Sequence, residues 1–400
     1  MAWYKKIEQR AAQLQPDLEI LRMDLHRHPE LGWEERRTCK KIAGLLSGWG
    51  YDVISGAAVS GHETGVIGIL RCGAGPVTAL RFDIDALPVS EVEKPGHLPF
   101  LNGFQSQNHG VMHACGHDGH TAIGLGCAQL LSEIRTQLHG TLKLIFQPAE
   151  EGARGAYPIT QRGWLDDADY FLAGHIIGHE LARGEDANVI PGVSSSLATT
   201  KADAVFHGVS AHAAHPELGC DVIPAISAAV CAMHAFKGPG FIHTGTIHAG
   251  SGRNIIADFG KLELETRAQT TQQNEHLETR MRSALQAAAE KYGVTCETDI
   301  LGRAPSLVST PQFSEFLQKL YSEELTLVKP ASFSCTAFPA SEDAAHMMNR
   351  VKSHGGQAAF LLFPARLASG LHNSDFDFPM ELLSVGTAAF TSAVYAVMHP

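Results

Sequence analysis

His113-Ala114-Cys115-Gly116-His117-Asp118-Gly119-His120 brings three histidines, a thiol and a carboxylate into one short stretch. Downstream lies a second cluster, Gln147-Pro148-Ala149-Glu150-Glu151-Gly152. Soft sulfur, imidazole and adjacent carboxylates form the donor set of a transition-metal site. Neighbouring carboxylates also offer one glutamate to a metal and the other to proton transfer, a pairing suited to metal-assisted hydrolysis. Cys115 and His117 stand on a glycine-rich turn, so both side chains can enter one cavity. A metal there would hold the thiol as thiolate. Two other readings stand beside this one. A buried structural Cys115 leaves the second cluster unexplained, and a cysteine nucleophile served by His113 or His117 needs no Glu-Glu pair.

The flanking sequence places these clusters on a scaffold. Residues 141–146 form an apolar strand pattern, so Glu150 and Glu151 follow a strand end, where two charges are costly unless bound to something. A helix runs from His117 through Leu131, and strands are expected at 64–70 and 77–82. Phe82-Asp83-Ile84-Asp85 then sets two carboxylates after a strand, either able to orient a metal-bound imidazole, although Asp83 reads equally as a turn residue. His175 ends the apolar run Tyr170-Phe171-Leu172-Ala173-Gly174, with His179 a bystander, and His372 lies in a late polar turn. Upstream, helical spacing covers the chain to about residue 28 (Ile7, Leu14, Leu18, Leu21, Leu25), and a second helix spans 34–49, ended by Gly50. Alternating strands and helices imply an α/β architecture, with ligands at the carboxyl ends of strands.

From 196 to 303 the pattern becomes strand 199–207, helix 221–236, strands 242–249 and 261–267, helix 271–292 and strand 294–300. That β-α-β-β-α-β order is a ferredoxin-like unit. It divides the chain into a catalytic part, 1–195 with 304–400, and an insert, 196–303. Beyond Pro305 come helices at 311–324 and 341–352, a strand at 357–363 and a final helix.

Bulk properties narrow the function. A chain of 400 residues is expected to form two domains. A net charge of −11 argues against nucleic acid or an anionic membrane as partner. No signal-peptide core or long apolar span is visible, and eight scattered cysteines without a Cys-x-x-Cys pair suggest reduced thiols in the cytoplasm. His-Glu-x-x-His, a Walker loop and Gly-x-Ser-x-Gly are absent, and Gly124-Leu125-Gly126 falls inside a helix without the third glycine of a dinucleotide loop.

Asp83-Ile84-Asp85-Ala86-Leu87-Pro88, the 113–120 and 147–152 stretches, Ser341-Glu342-Asp343 and His372-Asn373 together resemble the di-metal amidohydrolases related to aminoacylase and the indole-acetyl-amino-acid hydrolases, over nearly the whole chain. Segments 120–126, 143–152, 249–254 and 341–348 are similar, more narrowly, to the branch acting on aminobenzoyl-glutamate. The resemblance implies a zinc-exopeptidase-like α/β catalytic domain, its mixed sheet flanked by helices, and an inserted ferredoxin-like α+β domain serving as lid and dimerisation unit. It implies two divalent ions, manganese or zinc, ligated by Cys115, His117, Glu151, His175 and His372. Glu150 is then the general base, and Asp85 supports the metal site. His212 polarises the scissile carbonyl, in family dimers at the neighbouring subunit's site, while Asn254 and Arg267 bind substrate. The implied substrate is a small N-acyl amino acid such as aminobenzoyl-glutamate, and the implied assembly a homodimer or a heterodimer with a related subunit. The stretch Ile176-Ile177-Gly178-His179-Glu180 departs from the usual family sequence, leaving the pocket shape there open. The competing reading is a catalytically silent binding or partner subunit on the same fold, against which the full ligand set and Glu150 argue.

Overall fold

The computed structural model describes residues 2–399. Its helices are α1 (Ala2–Arg27), α2 (Arg36–Gly48), α3 (Ala57–Ser60), α4 (Leu98–Leu101), α5 (His117–Glu133), α6 (Ala156–Gln161), α7 (Val222–His234), α8 (Thr271–Tyr292), α9 (Pro311–Glu324), α10 (Ala344–Ser353) and α11 (Leu382–Met398). Its strands are β1 (Asp52–Ser55), β2 (Val66–Arg71), β3 (Val77–Asp83), β4 (Thr141–Gln147), β5 (Tyr170–Gly178), β6 (Val193–Ser195), β7 (Ala198–His207), β8 (Phe241–Ala249), β9 (Phe259–Ala268), β10 (Thr295–Ala304), β11 (Thr336–Ala337) and β12 (Gln357–Ala365).

The central sheet has the order β1-β2-β4-β3-β5-β12. The last four of these are mutually parallel, and β1 and β2 join antiparallel at one edge. This is an α/β fold with a mixed sheet flanked by helices. Alternate residues of the parallel strands enter two separate cores, which explains their unbroken apolar runs. Leu80, Phe82, Leu142, Leu144 and Phe146 pack with α1, α5 and α11 on one face. Ala79, Ile145, Phe171 and Ala173 pack with α6 and α10 on the other. Helix α5 is buried on nearly every side. Its Gly124 lies so close to the sheet that an added Cβ would meet the Phe82 ring at 2.5 Å and the Phe146 ring at 2.8 Å. Helix–sheet packing is therefore the reason for that glycine.

Boundaries shift where side chains are diverted to other tasks. Helix α2 starts at Arg36 rather than at 34, because the buried Glu35 carboxylate accepts the Ala149 N–H at 2.8 Å. Helix α10 starts at Ala344 rather than at 341, because Glu342 and Asp343 turn inward to Arg81. Strand β1 was not anticipated, being short, with both its end residues exposed.

The chain from Ala198 to Ala304 runs β7-α7-β8-β9-α8-β10 and closes an antiparallel sheet in the order β10-β7-β9-β8. Asp221 and Thr270 cap the two helices through the N–H groups of Ile223 and Gln273. A third core joins Ala202, Ala204 and Phe206 to Ala225 and Ala229 of α7 and Leu277, Met281 and Leu285 of α8. The helices cover one face of this sheet. Among the described residues no helix is long and apolar enough to cross a membrane.

Candidate metal centre

The 113–120 stretch enters α5 at His117, directly beyond the carboxyl end of β3. Cys115 is buried, with its Sγ 3.3 Å from Nε2 of His175 on β5. His175 Nδ1–H donates to the Ile176 carbonyl at 2.6 Å, so the lone pair on Nε2 faces the thiol. His117 uses Nδ1–H on the Asp85 carbonyl at 2.9 Å, and its buried Nε2 has no hydrogen-bond partner. Both rings thus hold the tautomer and orientation of a metal-ligating histidine. Glu151 Oε1 also lacks a hydrogen bond and lies 3.4 Å from Nε2 of His372. Ligand atoms of Cys115, His117 and His175 all lie within 4.8 Å of one another, and so do those of Cys115, Glu151 and His372. Cys115 is common to both groups. A third group of the same size joins His117, Glu150 and Glu151.

Backbone strain gathers at the same place. His372 has φ 67°, and its N–H donates to the Ala114 carbonyl at 2.7 Å, which ties the late turn to the cysteine loop. Ala149 and Ala153, at φ 52° and 57°, bracket the Glu150-Glu151 pair. Non-glycine residues in this region cost on the order of 1–3 kcal/mol each and persist where the surroundings enforce them.

Asp85 organises the acidic loop. Its two carboxylate oxygens accept the N–H groups of Glu150 at 3.1 Å and Glu151 at 3.0 Å, while His117 Nδ1 stands 3.3 Å away. Asp83, read equally as a turn residue, is part of the scaffold: it accepts from Arg81 at 2.8 Å and from His120 Nδ1 at 2.6 Å. His120 Nε2 in turn accepts the Ile176 N–H at 3.0 Å, so both its nitrogens are committed to linking β3 with β5. Sequence reasoning missed Arg81. Its buried guanidinium meets Asp83, Gln147, Glu342 and Asp343. The alternation within β3 hides it as one polar residue in an apolar strand, and the Ser341-Glu342-Asp343 motif was the signal for its counterions.

Electrostatically the donors are crowded. Burial, and then the Glu342, Glu151 and Asp343 carboxylates, hold Glu150 well above the usual carboxylate range. Burial pushes Glu151 up to about 7. Burial and Glu151 raise the Cys115 thiol, while burial and His120 press His175 well below its ordinary value. A neutral imidazole beside carboxyls and a thiol that resist ionisation is a set awaiting positive charge. With the orphaned His117 Nε2 and Glu151 Oε1, the residues present fit divalent ions.

A cavity of about 120 Å³ opens on this cluster, and Cys115, Glu150, Glu151, His175 and His372 all line it. Its far wall is Thr199, Lys201 and Arg267 from β7 and β9. Arg267 Nη2 pairs with Glu265 at 2.7 Å, and Nη1 reaches Ser341 Oγ at 3.4 Å. His212 and Asn254 are not brought to this cavity. They lie on two neighbouring exposed loops, one between β7 and α7 and one between β8 and β9, where the Ala213 N–H donates to the Asn254 carbonyl at 3.0 Å and the Ala214 N–H to His212 Nδ1 at 3.1 Å. One further link joins the insert's sheet to the acidic loop. The Arg303 N–H of β10 donates to the Ala153 carbonyl at 3.0 Å, and Gly302 packs so tightly that a Cβ would come 1.9 Å from the Gly152 oxygen.

Residues 79–396 match the model of peptidase family M20/M25/M40. The chain belongs to this family. It is a hydrolase of that group, with the family's α/β fold. It is 39% identical to one of the subunits of p-aminobenzoyl-glutamate hydrolase from Escherichia coli, over 93% of this chain and 94% of that one. It is 37% identical to indole-3-acetyl-aspartic acid hydrolase of Enterobacter agglomerans, over 97% of both. The crystal structure of the Bacillus subtilis YXEP protein, a dinuclear metal-binding peptidase of family M20, superposes with a TM-score of 0.72 at 25% identity, covering 97% of this chain and 99% of that one.

Proposed function

We propose that this hydrolase cleaves the amide bond of N-acyl amino acids, p-aminobenzoyl-glutamate foremost, with Glu150 as general base. One observation carries the reading: Glu150 sits beside a buried cluster of sulfur, imidazole and carboxylate donors, inside the same small cavity. Cys115, His117, Glu151, His175 and His372 would hold two divalent ions, manganese or zinc, with Asp85 supporting them. When bound, such ions lower the pKa of a water and polarise an acyl oxygen.

The protein's own residues supply the rest. Glu150, held by its backbone on Asp85, accepts the proton of the attacking water and returns it to the departing amine. Arg267 holds the carboxylate of the amino acid half. Residues 196–303 act as a lid over the 1–195 and 304–400 catalytic part. His212 and Asn254 are exposed and away from this cavity, which favours their serving the site of a second copy in a homodimer, where His212 meets the developing oxyanion. The eight unpaired cysteines fit a cytoplasmic setting.

The test is glutamate release from p-aminobenzoyl-glutamate by the purified chain loaded with Mn²⁺ or Zn²⁺. The wild type turns over, and Glu150→Gln loses ~10²–10⁴-fold in kcat while mass spectrometry still counts the same ions. A loaded chain without activity on a panel of N-acyl amino acids refutes the reading and favours a silent binding chain that works only beside a related partner.

A further inference from the structure

The two walls of the cavity carry opposite charge. The catalytic wall presents Glu150, Glu151 and Glu342, and the other presents Lys201 and Arg267. The register explains how both cations arrive there. In the antiparallel β7/β9 pair Thr199 stands opposite Arg267 and Lys201 opposite Glu265, while the alternating Ala202, Ala204 and Phe206 face the helices. Glu265 is therefore the one acid between two cations on this end of the open face. It commits to Arg267 Nη2 at 2.7 Å and to Thr199 Oγ1 at 3.0 Å. Lys201 is left half-buried, and among the described residues its ammonium has no hydrogen bond or ion pair. Farther along the same face Lys261 is fully engaged, with Asp203 at 2.7 Å and Glu263 at 3.2 Å. The charge of Lys201 acts across the cavity on Glu151 without a direct contact, so the donors of this ammonium stand open to an anion.

We propose that Lys201 binds the side-chain carboxylate of the substrate's amino acid half, selecting N-acyl derivatives of glutamate and aspartate over those of neutral amino acids. The inference rests on the amide-hydrolase reading, with Arg267 on the α-carboxylate. With Glu265 taken by Arg267 and Thr199, Lys201 keeps its donors for a second carboxylate beside the one that Arg267 holds. A lysine suits the task because a compact charge on a flexible stem follows a carboxylate on either a one- or a two-methylene side chain, where a rigid bidentate fork would not.

The experiment compares N-benzoyl-glutamate with N-benzoyl-glutamine, which differ only in that carboxylate, for the metal-loaded wild type, Lys201→Met and Lys201→Arg. The wild type is expected to prefer the glutamate compound by roughly 10–100-fold in kcat/KM, the scale of one hydrogen bond to a charged group. Lys201→Met brings the ratio toward one, mainly through KM for the glutamate compound, and Lys201→Arg restores part of it. A ratio that survives Lys201→Met, or one that is already near unity in the wild type, overturns the proposal. Calorimetric binding of both compounds to Glu150→Gln, with and without the added Lys201→Met substitution, reads the same selectivity without turnover. A wild type that binds selectively yet never hydrolyses thus condemns the amide-hydrolase reading and not the role of Lys201.

Discussion

Replacing Asp85 separates two things the site asks of one residue. Its carboxylate receives the N–H groups of Glu150 and Glu151, at 3.1 and 3.0 Å, and it is almost fully buried. Asp85→Ala strands both amides, at about 1–3 kcal/mol each, and the structure loses roughly 2–6 kcal/mol. Asp85→Asn keeps one accepting oxygen and loses about half of that. The imidazole of His117 is less affected, because its Nδ1–H goes to the backbone carbonyl of residue 85 at 2.9 Å, closer than the carboxylate at 3.3 Å. Metal affinity in Asp85→Asn should therefore drop only about 10-fold, the low end for a ligand-orienting partner. The rate at saturating metal should drop about 10²-fold, the cost of a displaced reacting group. Chelator competition gives the first number and steady-state kinetics the second. A variant whose rate is fully restored by excess metal would show that Asp85 acts only on the ions, and the loop-holding argument would be wrong.

Two other outcomes follow from buried contacts around the central sheet. His26 is wholly buried between Asp118 at 2.8 Å and Glu91 at 3.1 Å; burial opposes its charge, but the two hydrogen bonds win and raise its pKa to about 9. Since the folded value exceeds the unfolded one near 6.5, this pair of contacts is fully stabilising below about pH 6.5 and is lost as pH rises through 9, a change on the order of 3 kcal/mol. Urea unfolding between pH 6 and 10 should show that slope, and His26→Gln should flatten it; an equal slope in both disproves the assignment. Gly124→Ala drives a methyl into the Phe82 and Phe146 rings and should cost about 1–3 kcal/mol, seen as a lower Tm, whereas an unchanged Tm would mean that α5 shifts freely off the sheet.

Periodicity and turn residues were enough to read the alternating elements, because the parallel strands are buried on both faces and the insert's strands on one. Cys115, His117 and the Glu150-Glu151 pair stand out in the sequence as clustered donors, whereas His175 and His372 were assigned as ligands only through the family resemblance; the structure gathers all of them into overlapping donor groups. Arg81 was not, since a lone arginine in a strand reveals nothing until Glu342 and Asp343 arrive from far along the chain. Lys201 escaped for a related reason: in sequence it is one more polar position in an alternating strand, and only the register that gives Glu265 to Arg267 leaves it unclaimed. The starts of α2 and α10 were misplaced by two and three residues because long-range hydrogen bonds to Glu35 and Arg81 override local helix preference.

The bond from the Arg303 amide to the Ala153 carbonyl, with Gly302 pressed against Gly152, makes the acidic loop a neighbour of the insert's last strand as well as of β4. Any swing of the insert must either break that contact or drag the carboxylates along with it. If the insert serves as the proposed lid, its opening and the poise of Glu150 are geared together, and a bulky residue at 302 would disengage the gear without touching a single donor atom.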